Sequence, residues 1–113
     1  MPATAPANLT FHSASIQFLN QAKLQEDGTA LVTLSYKCAP ALVGTEGFLE
    51  VSLEQPGVAG FAFATAECDS TKHQVTLDVA PGPFTRGVAT ASAKVDNSSD
   101  SSLAERQQVL KVQ

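Results

Sequence analysis

Two cysteines, Cys38 and Cys68, are the residues of this chain best placed for covalent chemistry. They lie about 30 residues apart, and a bond closing a loop of that size stabilises a fold by roughly 3–4 kcal/mol. Other thiol chemistry needs a different setting. An oxidoreductase would carry Cys-x-x-Cys, which is missing, and a nucleophilic thiol would need His12 or His73 beside it. A structural disulfide is the expectation, with buried reduced thiols or a catalytic thiol as the alternatives.

Weaker constellations follow. Asp96, Ser98 and Asp100 occupy the first, third and fifth places of a calcium loop. Ser101 then stands where glycine is needed and Gln107 where a bidentate glutamate is needed, so a solvated turn is the plainer reading. His12 and His73 have no zinc-ligand spacing and read as surface histidines. Glu46, Glu50 and Glu54 are spaced by four, but on an alternating segment Glu50 and Glu54 mark the polar face of a strand, a face that resists aggregation, ahead of a glycosidase pair. No Gly-x-Ser-x-Gly elbow or phosphate-cradling glycine motif occurs. Asn8-Leu9-Thr10 and Asn97-Ser98-Ser99 are glycosylation sequons only in a eukaryotic secretory host. The expectation is no enzyme, no metal and no cofactor.

The elements that would position these residues are strands. With 113 residues, of which 43% are hydrophobic, the chain suits one domain that buries roughly 65% of its unfolded surface. Disorder is disfavoured at that hydrophobicity. A net charge of −4 argues against nucleic acid, and no apolar run approaches the roughly 20 residues of a membrane span. Only 16% of residues are charged, low for a freely exposed surface, so part of the polar face is expected to be covered by a neighbour.

Residues 1–7 read as an extended arm, with Pro2 and Pro6 fixing the backbone. The opening lacks the charged and apolar regions of a secretory signal, while the cysteine pair suits an oxidising compartment. Either a leader has been removed, or the protein is made in the cytosol and works outside after lysis. Residues 8–113 form the domain. Leu9 and Phe11, then Ile16 and Phe18, alternate with a phase change near Ser13-Ala14, suggesting a bulge. Asp27-Gly28 signals a hairpin. Val32, Leu34, Tyr36 and Cys38 share one face, as do Leu49, Val51 and Leu53, then Val75, Leu77 and Val79, then Ala89, Ala91, Ala93 and Val95. Loops are expected at 39–47 and 96–102, turns at Pro56-Gly57 and Asp69-Ser70, and no regular pairing at Pro81-Gly82-Pro83. Leu103–Val112 reads as a terminal strand, although Leu103–Gln108 has helix-forming residues. About seven strands without a helix predict an all-β domain, an Ig-like antiparallel β-sandwich, with a closed barrel as the alternative.

Several stretches carry a resemblance: Val32-Thr33-Leu34-Ser35-Tyr36-Lys37-Cys38, Cys68-Asp69 with His73 following, Gly87–Ala91, and Val109-Leu110-Lys111-Val112. Together they resemble small actinobacterial secreted Ig-like β-sandwich proteins of unknown function. Tailed phages of such hosts use similar sandwiches as capsid and tail accessories of the decoration type. The resemblance implies one disulfide joining strands, and a place on a virion or at the cell surface.

Phe61 and Phe63 raise one sharp question. If Cys68 points inward with Ala62, Ala64 and Ala66, alternation puts both rings on the opposite face as an apolar patch. The plainer reading bends the strand near Glu67, so that the rings fill the core against Leu49 and Leu53. The functional expectation is a non-enzymatic structural module docking on a protein partner through Phe61, Phe63 and the arm with Pro2 and Pro6. That partner is a capsid, another surface assembly or a second copy, with no membrane insertion. A virion decoration or capsid- or tail-associated protein leads, ahead of a secreted surface or inhibitor-like domain.

Overall fold

The computed structural model describes residues 14–41, 44–97 and 103–113. They form β1 (Ser15–Leu24), β2 (Ala30–Lys37), β3 (Glu46–Gln55), β4 (Val58–Glu67), β5 (Lys72–Pro81), β6 (Gly87–Asn97) and β7 (Leu103–Val112), with no helix among them. The all-β expectation holds, and Leu103–Gln108 takes the strand form. The arm at 1–7 with Pro2 and Pro6, the residues Leu9, Phe11 and His12, and 98–102 of the calcium-like loop lie outside the described residues.

Turn chemistry begins the fold. Gly28 joins β1 to β2 at φ 90°, a conformation that costs other residues dearly. Beside it the Asp27 carboxylate accepts the Thr29 hydroxyl at 2.7 Å and the Thr29 N–H at 3.0 Å, which holds its pKa below the usual range. The same device closes the β4–β5 turn. Asp69 accepts the Thr71 hydroxyl at 2.7 Å and its N–H at 3.1 Å, around Ser70 at φ 67°. The bulge expected near Ser13-Ala14 falls at Ser13, outside the described residues; within β1 the β1–β2 register shifts between Phe18 and Ala22.

The strand order β1-β2-β5-β4-β3-β6-β7 closes on itself, so the expected sandwich is corrected to a seven-strand barrel. The reason lies in two short seams. β1 and β7 meet in parallel through Gln21↔Lys111 and Ala22↔Val112. β4 and β5 meet only through Gly60↔Pro81 and Phe61↔Ala80. Gly60 permits the second approach, because a Cβ there would lie 2.9 Å from the Phe84 ring and 3.0 Å from the Ala80 carbonyl. Pro81 was expected to prevent pairing; it instead ends β5, where its missing N–H interrupts little of the ladder.

Inside, the alternation reads as anticipated. Val32, Leu34, Leu49, Leu53, Val95 and Leu110 are fully buried, each worth roughly 1.5–3 kcal/mol of transfer energy. Phe84, which has no alternating partner to announce it, also plugs the core, and its N–H donates to the Gly28 carbonyl at 2.7 Å. Cys38 and Cys68 form a disulfide with Cα atoms 4.4 Å apart, clamping the ends of β2 and β4. Of the loop expected at 96–102, Asp96 and Asn97 belong to β6 instead. Asn97 is fully buried and its amide donates to the Ala39 carbonyl at 3.2 Å, so its sequon nitrogen faces the interior rather than a glycan.

Candidate functional site

Registers across β4-β3-β6-β7 set the outward residues in rows. One row runs Phe63, Glu50, Lys94, Glu105; the next runs Phe61, Ser52, Ser92, Gln107. Beyond the first lie Thr65, Phe48, Asp96 and Leu103. Phe61 is 55% and Phe63 61% exposed. The bend that would have turned both rings into the core is absent, because β3 and β4 pair without a register break from Glu46↔Glu67 to Gln55↔Val58. Ala66 and Cys68 take the inward phase. The Phe63 ring stacks on Phe48, with centroids 6.0 Å apart.

Apolar exposure is concentrated here. Phe48, Phe61, Phe63, Val88, Leu103 and Val109 all stand on this outer face, and Leu19 is the one large exposed apolar side chain elsewhere among the described residues. The opposite outer face is polar. There Gln17, Ser35 and Gln74 align, and Thr33 and Thr76 share a hydroxyl hydrogen bond at 2.8 Å. A shallow groove of about 710 Å³ crosses the aromatic face, lined by Phe61, Phe63, Glu50, Ser52, Lys94 and Arg106 among others. Phe48 and its stacking on Phe63 escaped the sequence reading, although the Glu46-x-Phe48-x-Glu50 alternation already placed it outward.

The second feature is electrostatic. Glu46, Glu50 and Glu54 take the outward phase of β3, and Glu67 that of β4, so carboxylates bracket the phenylalanines. Glu46 and Glu67 are directly opposed, an unfavourable like-charge pair. Strand β4 itself carries no Lys or Arg.

A titratable cluster sits at the same end of the barrel. His73 Nε2 lies 2.8 Å from Asp69 Oδ1 and 3.2 Å from the Thr71 hydroxyl, while Nδ1 is 3.8 Å from Glu67. The buried Tyr36 hydroxyl accepts the Glu67 N–H at 2.8 Å, and its ring lies 5.6 Å from that of His73. The Thr71 hydroxyl first, then His73, holds the Asp69 carboxyl down at about 2. This is not a nucleophile pair. A carboxylate acceptor requires the proton on Nε2, so the imidazole has no lone pair there to activate Thr71, whose own proton goes to Asp69. The cluster caps a turn. Its Asp-x-Thr-x-His spacing was readable as an Asx turn followed by strand alternation.

Among the described residues no group of His, Cys, Asp and Glu is placed to hold a metal ion. The disulfide occupies both cysteines. Comparison of the sequence with protein-family models and with curated proteins yields no match.

Proposed function

We propose that this chain is a non-enzymatic binding module whose β4-β3-β6-β7 face docks on another protein of a larger assembly outside the reducing cytosol. One observation carries the reading. The large exposed apolar side chains, Leu19 apart, gather on a single face while the opposite face is polar, an asymmetry that marks protein contact sites. The disulfide suits an extracellular or particle-borne location. A virion decoration or capsid- or tail-associated role is the leading assignment, supported by the resemblance to phage accessory sandwiches. A secreted surface or inhibitor-like domain is the second, which the disulfide favours equally.

Mass spectrometry of purified particles and of culture supernatant from the source cells tests the choice. Recovery in stoichiometric amounts with particles supports the leading assignment. Recovery only as free protein in the supernatant, with particles lacking it, transfers support to the second. Recovery only inside intact cells with reduced cysteines contradicts both.

A further inference from the structure

We infer that the partner contributes an extended strand, alternating Lys or Arg with aliphatic residues, that adds to the open edge of β4; this rests on the docking reading above. The geometry starts from the incomplete seam. β4 pairs with β5 only at Gly60 and Phe61, so from Ala62 to Ala66 its second edge has no strand partner among the described residues. An unpaired edge is a template for another chain, and proteins block such edges with Lys, Pro or a bulge. Ala62-Phe63-Ala64-Thr65-Ala66 has none of these, and it pairs with β3 in unbroken register.

Side-chain phase then defines the occupant. Inward residues of an added strand would cover Ala62 and Ala64 and the half-buried Val75 and Leu77 along the seam, which calls for aliphatic side chains. Outward residues would lie beside Phe61, Phe63 and Thr65. A guanidinium or ammonium placed there gains a ring face and reaches Glu50 and Glu67 within about two strand spacings, roughly 10 Å. Such a cation also relieves the Glu46–Glu67 opposition, which the chain leaves without Lys or Arg on β4. An acidic strand would add to that repulsion. Self-pairing of β4 would bring a second Glu67 and no cation.

The experiment uses the full oxidised chain and a fluorescently labelled, end-blocked peptide Lys-Val-Arg-Val-Lys-Ile-Arg, followed by anisotropy. Saturable binding is expected, weakened at least tenfold by the double charge reversal Glu50→Lys with Glu67→Lys, and similarly by Phe63→Ser. Phe63 and Glu67 are exposed and Glu50 is half-buried, and an unchanged melting curve certifies each variant as folded. The same peptide with alternate backbone amides N-methylated should lose binding, and a Glu-for-Lys/Arg version should show none. Absence of saturation at millimolar peptide, or equal binding of the methylated peptide, overturns strand addition. If particle attachment nevertheless requires Phe61 and Phe63, the docking reading survives that failure. If attachment ignores them too, both fall.

Discussion

Breaking the Cys38–Cys68 bond should cost this fold more than any surface change. The bond joins residues 30 apart in sequence, and releasing a loop of that size returns roughly 3–4 kcal/mol of chain entropy to the unfolded state. Domains of this size are stable by only about 5–15 kcal/mol. With ~4 °C or somewhat more per kcal/mol for a chain of this length, reduction should lower Tm by about 10–20 °C. The double variant Cys38→Ala/Cys68→Ala should fall slightly further, because both cysteines are fully buried and truncation leaves a small cavity. Thermal circular dichroism of oxidised protein, of protein held in a phosphine reductant, and of the variant separates the two contributions. Intact mass must rise by two hydrogens on reduction. A Tm that moves by less than about 3 °C on full reduction would refute the clamp. So would two titratable thiols in the native protein.

Three further outcomes follow from particular contacts. Because the folded pKa of Asp69 is depressed to about 2 from 3.8, its contribution is complete above the unfolded value and is lost as pH falls from about 4 to 2. Asp69→Asn keeps an acceptor for the turn but should flatten that part of the stability–pH curve in urea melts; an unchanged slope would show that other groups set it. Tyr36→Phe removes the acceptor of the Glu67 N–H and should cost about 1–2 kcal/mol by denaturant midpoint, whereas a neutral result would mean water serves that amide equally well. Gly60→Val forces a side chain into the Phe84 ring and the Ala80 carbonyl and should destabilise by about 1–3 kcal/mol. Hydrogen exchange should localise the damage to the β4–β5 seam, and uniform loss of protection would contradict that placement.

Strands were legible wherever one face met the core and the other met water. The Val32–Cys38, Leu49–Leu53 and Ala89–Val95 alternations place their residues as found, because a slip of one residue would expose the whole apolar set. What alternation does not encode is how strands neighbour one another. Closure at Gly60 and at Gln21–Ala22 depends on backbone approach across elements far apart in sequence, and a two-residue seam leaves no periodic trace. Phe84 follows Pro83 in an irregular segment, so its burial had no pattern to reveal it. The outward phase of Phe61 and Phe63 was readable from strict alternation with Cys68. Core burial of the rings fails because the β3–β4 register is unbroken, and along an unbroken strand phase outweighs hydrophobicity.

The most direct measurement is sedimentation of the parent chain and of Phe61→Ser/Phe63→Ser with the assembly on a density gradient. Both substitutions are at exposed positions and should leave Tm nearly unchanged, as surface changes usually do. The parent should travel with the particle while the folded double variant stays at the top of the gradient. Co-migration of the variant in the same amount as the parent would contradict the claim that this aromatic face is the docking surface.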